Sequence, residues 1–430
     1  MNAMVLSIGD ELVLGQTVDT NSAWLSGELA SIGWDVAGHL TVGDDQSAIE
    51  SAIAQAAGRC DVLLVTGGLG PTKDDLTRAA LARMLAVPLE MNADWLGRME
   101  EMFRQRGRPM ADANRAQALI PRGARMIQNS AGTAAGIDAD FTPPDSSRRC
   151  RIFAMPGVPR EMRIMFQHHV FPFLCTMSGG RVILTRTLHT FGLGESNVGE
   201  MLGDLMDRAR NPSVGTTVFG GVVSLRIASR QKSRDQAEEA LRKTVADCRR
   251  ALGDLIYGVD ELTLPSVIGD LLTQGASGRQ SLRIRRVATA ESCTGGLLAK
   301  MLTDVPGSSR YFQRGWIAYS NDAKTEMLDV DAGLIAREGA VSEGVVAAMA
   351  DAARRKSAAD FGLAISGIAG PDGGTATKPV GTVCIALAHP SGGIARTFSF
   401  PGDRETVRDR SAKMALTMLR YHLLGKKMPF

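Results

Sequence analysis

The sequence predicts an α/β protein in which two α/β domains with mostly parallel sheets are joined by a small α+β domain. Near each end of the chain, short apolar runs lead into glycine-rich turns that are followed by helical patterns, which is typical of parallel sheets covered by helices. Between these regions lies a strand–helix–strand–strand–helix pattern of about eighty residues, a usual size for a small domain. The length of 430 residues suits roughly three domains.

Apolar periodicity and turn residues place the elements of each region. In the N-terminal region the predicted strands are 3–8, 62–66 and 151–154, and the predicted helices are 21–33, with Asn21 as N-cap, and 74–85. In the middle region the predicted strands are 182–191, 215–219 and 222–228, and the predicted helices are 196–206 and 235–252. In the C-terminal region the predicted strands are 287–290, 315–319, 363–366 and 381–388, and the predicted helices are 265–272, one from 297, 343–355 and 404–424. A turn is predicted at 143–147 and an exposed connection at 273–286.

Composition argues against several classes of protein. Hydrophobic residues make up 44% of the chain and charged residues 22%, which is ordinary for a folded globular protein. The net charge of +3 is too weak to indicate a nucleic-acid-binding face. The six cysteines have no CxxC spacing and are expected to be reduced thiols of a cytoplasmic protein. No apolar run reaches the ~18 residues of a membrane span, and no signal peptide is visible.

The segment Thr66–Asp75 is the first candidate site. Its glycines follow a predicted strand, where backbone N–H groups can approach a phosphate closely, and the start of the next helix favours an anion. Because Asp74 and Asp75 repel a phosphate unless a divalent ion bridges them, the segment suits metal-assisted pyrophosphate chemistry. A tight strand-to-helix turn whose acidic residues complement the helix dipole explains the same pattern.

Two further segments are candidates for the same site. Asp10 and Glu11 follow the first predicted strand, and ligands of open α/β sheets bind at the carboxyl ends of strands, so these carboxylates are expected near the two aspartates of the glycine-rich turn. The loop of small residues at 129–136 has room to admit a ligand. Each segment is also explained as an ordinary loop.

Hydroxyl groups dominate the candidate site of the C-terminal region, where histidine is nearly absent. A Ser-His-Asp triad is therefore poorly supplied, and a serine nucleophile with a lysine base is the main alternative. Ser292 lies at a predicted strand end, and Lys324 follows Tyr319 closely. Such a lysine needs a pKa lowered by burial or by a cationic neighbour. The competing explanation is structural, because serines are common in glycine-rich turns and Lys324 would then be an ordinary surface residue.

The same region offers groups for an oxyanion and rival nucleophiles. The backbone N–H groups of Gly295 and Gly296, or those of 367–370, are expected to stabilise an oxyanion or a substrate phosphate. Ser309 lies in an ordinary Gly-Ser-Ser turn. Cys293 is a rival nucleophile, but without a histidine partner it is expected to be a buried small residue.

Several ordered motifs resemble the CinA family (competence/damage-inducible protein A) over nearly the whole chain. The N-terminal motifs, which resemble the molybdopterin-binding-like domain of that family, are Gly9-Asp10-Glu11, Gly15-Gln16, Asp19-Thr20-Asn21, Gly67–Thr72 with Asp74-Asp75, and Met155–Met162. The C-terminal motifs, which resemble its nicotinamide-nucleotide amidohydrolase domain, are Glu291–Gly296, Ala318–Asn321, Lys324, Gly339–Glu343, Ser366–Pro371 and Lys378–Thr382. Gly192–Ser196 and Tyr257-Gly258 resemble the KH-like connecting domain.

The resemblance implies two activities on pyridine-nucleotide metabolites in a cytoplasmic homodimer. Domains are expected at 1–172 (molybdopterin-binding-like), 173–261 (KH-like) and 262–430 (nicotinamide mononucleotide deamidase). The C-terminal domain would hydrolyse nicotinamide mononucleotide to nicotinate mononucleotide and ammonia without a cofactor. The N-terminal domain would cleave ADP-ribose to AMP and ribose 5-phosphate with a divalent metal.

The resemblance also assigns site residues. Ser292 is implied as nucleophile, Lys324 as its base and Tyr319 as their partner, with Ser309 as the second choice of nucleophile. The substrate-binding residues implied in the C-terminal domain are Thr294, Gly295, Gly296, Ser366, Gly367, Ala369, Gly370 and Arg404, the last pairing with a phosphate. Those implied in the N-terminal domain are Asp10, Asn21, Gly67, Gly68, Gly70, Thr72, Asn129, Gly132 and Thr133, with Glu11, Asp74 and Asp75 as metal ligands.

Two other functions fit parts of the sequence. The glycine-rich turn suits a module that only binds a pterin or a nucleotide in a competence-related binding protein. A nucleic-acid partner in DNA uptake is suggested by the family name and the KH-like region, but that region lacks the Gly-x-x-Gly clamp of a KH RNA reader. Small-molecule nucleotides are therefore the expected partners, and neither a membrane nor nucleic acid is expected.

Overall fold

A computed structural model describes residues 1–144, 148–177, 182–274 and 283–430. The chain forms two compact units, one of residues Met1–Leu184 with Ser229–Ala240 and one of Thr185–Ala228 with Leu241–Phe430. Parts of the predicted turn at 143–147 and of the predicted connection at 273–286 lie outside the described residues.

Within its described residues, the N-terminal region has eight strands and seven α-helices. The strands are β1 (Asn2–Ile8), β2 (Asp35–Val42), β3 (Val62–Thr66), β4 (Leu89–Met91), β5 (Leu119–Pro121), β6 (Arg125–Ile127), β7 (Gly136–Phe141) and β8 (Cys150–Met155). The helices are α1 (Asp10–Val13), α2 (Thr20–Ser31), α3 (Gln46–Ala57), α4 (Thr77–Met84), α5 (Ala93–Gln105), α6 (Pro159–Met165) and α7 (Phe171–Met177). Six strands form one sheet in the order β2-β1-β3-β8-β7-β6, and β4 pairs with β5 separately.

The centre of this sheet is parallel and buried on both faces. β1 pairs in parallel with β2 and β3, and β3 with β8, whereas β7 is antiparallel to its neighbours β8 and β6. Alternate residues of β1 and β3 enter two hydrophobic clusters, one on each face of the sheet. Because parallel strands covered by helices on both faces are nearly all apolar, the predictions of β1, β3 and β8 are confirmed.

Two helix starts in this region differ from the predictions because aspartate side chains bind backbone amides before the helix begins. The N-cap of α2 is Asp19, whose carboxylate accepts a hydrogen bond from the Ser22 amide, so the prediction of Asn21 as N-cap is wrong. The helix α4 begins at Thr77 rather than at Asp74, because the Asp75 carboxylate accepts hydrogen bonds from amides of the preceding loop.

The middle region forms a four-stranded sheet in the order β10-β11-β9-β12. Its elements are β9 (Val182–Phe191), α8 (Glu195–Leu202), β10 (Ser213–Phe219), β11 (Val222–Gln231), α9 (Arg234–Leu252) and β12 (Ile256–Val259). The predicted hairpin of β10 and β11 is confirmed, and both of its turn residues, Gly220 and Gly221, have positive φ, as a type I′ turn requires. The edge strand β12 was not predicted.

The C-terminal region has a five-stranded sheet in the order β14-β13-β15-β16-β17. Its elements are α10 (Leu264–Gln274), β13 (Val287–Glu291), α11 (Leu297–Thr303), β14 (Phe312–Ile317), α12 (Asn321–Leu328), α13 (Ala332–Glu338), α14 (Glu343–Ser357), β15 (Phe361–Gly367), β16 (Thr382–His389), β17 (Gly392–Ser399) and α15 (Arg404–Leu423). β14, β13 and β15 are parallel, whereas β16 is antiparallel to β15 and β17.

The two faces of this sheet carry side chains of different size. Leu363 and Ile365 of β15 belong to a cluster of large side chains that includes residues of α10 and α15. Ala364 belongs to the opposite cluster, which is rich in alanine and includes the buried face of α14. Helices therefore cover both faces, and the carboxyl ends of the parallel strands remain as the place for a site.

Other sequence features agree with this fold. All six cysteines are free thiols, as predicted. Among the helices of the described residues, none has both the length and the apolar character that crossing a membrane requires.

Candidate active sites

The C-terminal region brings Ser292 and Lys324 into direct contact. Ser292 follows the last residue of β13, and its amide donates a hydrogen bond to the Ile365 carbonyl, which fixes it against β15. Lys324 lies in the second turn of α12, which Ser320 caps by accepting from the Ala323 amide. The Lys324 Nζ atom is 3.1 Å from the Ser292 Oγ atom. The structure thus joins the two residues that the sequence singled out as nucleophile and base.

The surroundings of Lys324 suit a neutral amine. Only 1% of its surface is exposed, and burial lowers its pKa. Its Nζ atom also lies 3.1 Å from the Ala318 carbonyl oxygen and 3.4 Å from those of Tyr319 and Ser320. Among the described residues, no carboxylate forms an ion pair with it. When two N–H bonds of a neutral amine point at carbonyls, its lone pair is left for the serine hydroxyl.

The glycine turn after Ser292 is held by an internal carboxylate. Glu291 is 1% exposed and accepts hydrogen bonds from the amides of Gly296, Leu298 and Ala299. The Gly295 amide donates to the Ser292 carbonyl. The expectation that the N–H groups of Gly295 and Gly296 face an oxyanion or a phosphate is therefore wrong, because both already have partners within the turn.

Other polar groups of this region have no hydrogen-bond partner within the described residues. The Thr294 hydroxyl is buried and has no hydrogen-bond partner among the described residues. In the same part of the chain, no backbone acceptor is seen for the amides of Ala369 and Gly370, which follow β15. The Ser366 hydroxyl, in contrast, donates to the Ala340 carbonyl at 2.7 Å, and Gly367 is paired with β16.

Tyr319 contacts Lys324 through its backbone and Arg404 through its side chain. Arg404, at the start of α15, donates to the Tyr319 hydroxyl at 2.8 Å and to the Gly370 carbonyl at 2.7 Å. The Tyr319 hydroxyl makes no hydrogen bond with Ser292 or Lys324 in the described residues. Ser309 is exposed in a short 3-10 turn and also makes no hydrogen bond with that pair. Of the two candidate serines, Ser292 alone contacts the lysine.

Cys293 has the properties of a buried core residue. It is 6% exposed and belongs to the cluster of large side chains. Burial raises the pKa of its thiol to about 12, so the thiol is protonated at neutral pH. This agrees with the expectation that it packs rather than reacts.

A cavity of about 690 Å³ adjoins the start of α15. Arg404, Arg408 and Lys413 line it together with Phe219 and Gly220 of the β10–β11 hairpin. Arg408 also donates to the Thr294 carbonyl at 2.7 Å, which links this wall to the turn that carries Ser292. Three carboxylates, those of Asp403, Glu405 and Asp409, line it as well, and Lys413 forms an ion pair with Asp409. Arg404 and Arg408 are therefore the cations of this cavity that can meet an anionic group.

The first compact unit holds a cavity of about 460 Å³ at the carboxyl ends of its parallel strands. Gly67, Gly68 and Gly70 line it, together with Thr72 and Thr133 from the predicted set. Carboxylates of Glu11, Asp44, Asp74, Asp75 and Glu161 also line it. The predicted convergence of the glycine-rich turn with the acidic end of β1 is thus seen.

Side chains from the start of α4 fix the glycine-rich loop. The Asp75 carboxylate accepts from the amides of Gly70 and Thr72 at 2.6 and 2.8 Å. The Thr77 hydroxyl donates to the Gly67 carbonyl at 2.8 Å. The Arg78 guanidinium donates to the Leu69 and Gly70 carbonyls, and burial lowers its pKa to about 10. The loop is therefore held in one conformation before any ligand arrives.

Four predicted binding residues of this region hold its loops together instead. The Asn21 side chain donates to the Thr66 hydroxyl and to the Gly157 carbonyl, joining the ends of β3 and β8. Asn129 is 1% exposed and donates to the Ala134 carbonyl and to Glu161, while its oxygen accepts from the Gly132 amide. The Asp10 amide donates to the Asp44 carboxylate, and the Asp44 amide donates to the Asp10 carboxylate. None of Asp10, Asn21, Asn129 and Gly132 lines the cavity.

Comparison with known proteins assigns a family to each region. Residues 4–176 match the family described as probable molybdopterin binding domain, residues 185–258 the damage-inducible protein CinA KH domain, and residues 274–423 the CinA C-terminal domain. A putative competence-damage inducible protein of Symbiobacterium thermophilum is 43% identical over 99% of both chains. A CinA-like protein of Geobacter sulfurreducens is 40% identical over 99% of this chain and all of its own length.

The chain belongs to the CinA family. The resemblance stated from the motifs is confirmed, as is the fold class with its molybdopterin-binding-like, KH-like and C-terminal parts. Among solved structures, the competence/damage inducible protein CihA of Agrobacterium tumefaciens is 38% identical, with a TM-score of 0.34, over 36% of this CinA chain and 91% of its own.

The acidic residues of the N-terminal cavity suit a metal ion that is bound partly by protein carboxylates and partly by a ligand's phosphate, rather than by the protein alone. Among the described residues, no three His, Cys, Asp or Glu side chains group closely enough to hold an ion, so Glu11, Asp74 and Asp75 do not form a cluster by themselves. Asp75 is turned onto the loop. Burial and the neighbouring carboxylates of Asp10, Glu11 and Asp74 raise the pKa of Asp44, which marks a concentration of negative charge. Hard oxygen donors of this kind fit a divalent cation that also takes phosphate oxygens.

Several residues of these sites were missed by sequence reasoning. Glu291 was quoted only as part of a motif, and Asp44, Arg78, Gln117 and Glu161 were given no role. Their positions depend on contacts between segments distant in the chain, such as Glu161 with Asn129. Of these residues, only Arg78 could have been noticed from the local sequence, because it follows the glycine-rich turn and lies about one helical turn after Asp74 and Asp75.

Proposed function

We propose that the C-terminal domain is an amidohydrolase that converts nicotinamide mononucleotide and water into nicotinate mononucleotide and ammonia. The observation that carries the proposal is the 3.1 Å contact between a buried lysine amine and a serine hydroxyl at the carboxyl end of a parallel strand. A serine nucleophile with a lysine base performs acyl transfer, and a carboxamide is an acyl donor of that kind.

The reaction proceeds through an ester on Ser292. The Ser292 Oγ atom attacks the carboxamide carbon while Lys324 takes its proton, giving a tetrahedral oxyanion. The C–N bond then breaks, and the protonated lysine returns the proton to the leaving nitrogen, which departs as ammonia. Water, deprotonated by the same lysine, attacks the ester and releases the carboxylate and the serine.

The remaining groups have supporting roles. We assign the amides of Ala369 and Gly370 as donors to the oxyanion, because the Gly295 amide is bound to the Ser292 carbonyl and the Gly296 amide to Glu291. Arg404 and Arg408, which line the 690 Å³ cavity, supply charge for the substrate phosphate. Tyr319 positions Arg404 through its hydroxyl.

Ammonia release from nicotinamide mononucleotide by the purified full-length chain tests this proposal. We expect Ser292→Ala to abolish release and Ser309→Ala to retain it, provided that both variants keep the wild-type melting temperature. No release by the folded wild-type chain would refute the amidase. Retained activity in Ser292→Ala together with loss in Ser309→Ala would move the nucleophile to Ser309.

A second activity is proposed for the N-terminal domain, namely hydrolysis of the pyrophosphate of ADP-ribose to AMP and ribose 5-phosphate. It is supported by a preorganised glycine loop and several carboxylates on one 460 Å³ cavity. Glu11 and Asp74 are the carboxylates left to hold a divalent ion, which when bound neutralises charge on the phosphates. Because the Gly67 amide is bound to the Met155 carbonyl and the Gly70 and Thr72 amides to Asp75, the Gly68 amide is the glycine donor of the loop left to orient the substrate. Water is the nucleophile.

AMP formation from ADP-ribose, with Mg²⁺ and with a chelator, tests the second activity. The melting temperature of the apo chain is measured in parallel, and we expect Mg²⁺ to raise it because the ion relieves repulsion around Asp44. Nucleotide binding without turnover in either condition would favour a domain that only binds its ligand. Salt-sensitive binding of single-stranded DNA at micromolar protein would instead revive a role in DNA uptake.

A further inference from the structure

The second compact unit holds another cavity, of about 350 Å³, that the proposed reactions leave unused. Its walls come from the end of β9 and the residues after it, the β10–β11 hairpin, the end of β17 and the helix α15. It shares no lining residue with the 690 Å³ cavity at the start of α15. A cavity of this volume can hold a small organic molecule.

Arg410 of α15 brings a guanidinium without a partner to this cavity. It is half-buried, and within the described ranges it forms no ion pair and no side-chain hydrogen bond. Its Nε atom is buried, whereas its two terminal nitrogens keep accessible surface. The other cations of α15 nearby are engaged, since Lys413 pairs with Asp409, and Arg404 and Arg408 donate to backbone carbonyls. An anion that reaches the terminal nitrogens would replace hydration that burial has partly removed.

Much of the remaining wall is apolar and partly open to water. Val218 is 48% exposed, and Leu193 and Phe398 are half-buried. The Phe398 ring stacks on that of Phe400, with 5.9 Å between the ring centroids. A flat apolar molecule would cover this exposed side-chain surface, and the removal of that surface from water favours binding.

One carboxylate limits the charge that the cavity accepts. Glu195 lines the cavity, accepts a hydrogen bond from the Thr216 hydroxyl at 2.7 Å, and forms no ion pair with Arg410 in the described part of the chain. Since the lining residues supply one cation and one anion, a ligand with a single negative charge is favoured over a doubly charged phosphate. The planar guanidinium also matches the two oxygens of a carboxylate.

We propose that this cavity is a second ligand site, separate from the catalytic serine, which binds a flat aromatic molecule that carries one carboxylate. Arg410 pairs with the carboxylate, and Leu193, Val218 and Phe398 contact the ring. The proposal depends on neither of the reactions proposed above, so it stands or fails independently of them.

Calorimetric titration of the purified full-length chain with three matched probes tests the proposal. We expect 2-naphthoate to bind with a Kd of about 1 mM or tighter. The neutral 2-naphthol should bind about tenfold more weakly, because it cannot form the charged pair. 2-Naphthyl phosphate should also bind more weakly than 2-naphthoate, because of Glu195. Tighter binding of the phosphate would overturn the carboxylate assignment, and no saturable binding of 2-naphthoate up to about 10 mM would overturn the site.

Two variants test the residues of the site. Arg410→Gln should weaken 2-naphthoate about tenfold and leave 2-naphthol unchanged. Val218→Asp places a second carboxylate on an exposed part of the wall, so it should also weaken 2-naphthoate and is unlikely to disturb folding. The exposed Arg310→Gln is the matched control and should bind 2-naphthoate as wild type does. Melting temperatures establish that each variant is folded, and unchanged affinity in both site variants would overturn the inference.

A further comparison separates this site from the catalytic cavity. Arg404→Gln should retain the affinity for 2-naphthoate, because Arg404 lines only the other cavity. In Ser292→Ala, nicotinamide mononucleotide should not displace 2-naphthoate. Loss of binding in Arg404→Gln with retention in Arg410→Gln would place the ligand in the catalytic cavity and overturn the inference. Displacement by the nucleotide would do the same.

Discussion

At the scale of the residue, Lys324 is the side chain on which the C-terminal site depends. An ammonium buried without a carboxylate is costly, and the chain keeps this lysine at 1% exposure with three carbonyl oxygens and one hydroxyl around its amine. A buried lysine of lowered pKa serves better as a base than as a structural ion pair.

The pH dependence of ammonia release should follow Lys324. Because burial lowers its pKa, the neutral amine becomes available at a pH below the ordinary lysine range, and kcat/KM should rise with pH through that lowered pKa. Lys324→Ala should lose about 10²–10⁴-fold in kcat, and Lys324→Arg, which cannot deprotonate, should be equally inactive at every pH. Lys300→Ala, an exposed change in α11, is the control. An active Lys324→Arg would contradict this assignment.

Cys293 should be dispensable for chemistry. Its thiol is buried and protonated, so Cys293→Ala is expected to keep kcat within about threefold while losing about 1 kcal/mol of stability from the small cavity left in the core. Ammonia release and urea denaturation measure the two effects. Loss of all activity from a variant that remains folded would restore the thiol as nucleophile.

The sequence was sufficient to find Ser292 and Lys324, because residue type and position at a strand end are local properties. It was not sufficient for Glu291 or Gln117. Glu291 could be recognised as a cap only after the turn was seen to fold back over its carboxylate. Gln117 differs from an ordinary surface glutamine only in its burial, which the neighbouring sequence does not predict.

At the scale of the element, the loop between β3 and α4 shows why glycine-rich turns are ambiguous. Gly67 has a φ of 107°, and a Cβ atom there would overlap the Ile8 carbonyl oxygen. A Cβ atom on Gly70 would overlap the Asp75 carboxylate. These glycines are required by the loop's own packing, whether or not a phosphate binds. Periodicity located most strands and several long helices. The starts of α2 and α4 were misplaced, because Asp19 caps the first and the Asp75 carboxylate is bound within the loop before the second.

Two glycine substitutions test this account of the loop. Gly67→Ala should destabilise the chain by about 3 kcal/mol, since it adds backbone strain and a collision with β1. Gly97→Ala in α5 has open space around it and should stabilise by about 0.5–1 kcal/mol. The free energy of unfolding from urea titrations compares them. Equal effects of the two changes would show that the loop tolerates a side chain.

At the scale of the whole molecule, the two candidate sites lie in different compact units. The residues that line the N-terminal cavity belong to the first unit, and Ser292 and Lys324 belong to the second. Both use the same construction, in which a buried parallel strand ends at a glycine turn beside a helix start. The family models match segments that contain both sites.

Substitutions should therefore remove one activity without the other. Ser292→Ala is expected to lose ammonia release and to form AMP from ADP-ribose at the wild-type rate. The double variant Glu11→Gln, Asp74→Asn should lose at least about 10²-fold in AMP formation and keep ammonia release. Parallel assays of both products on the same preparations measure this. Simultaneous loss of both products from either folded variant would indicate that one site serves both reactions.

The Glu291 carboxylate also affects where dissolved anions can bind in the C-terminal site. Helix starts commonly attract inorganic phosphate and sulfate from buffers, and such ions then compete with phosphorylated substrates. In this chain the Glu291 carboxylate occupies that position and accepts hydrogen bonds from three backbone amides. Arg404 and Arg408 of the neighbouring cavity remain for a buffer anion, so sulfate should act as a competitive inhibitor whose strength depends on Arg404.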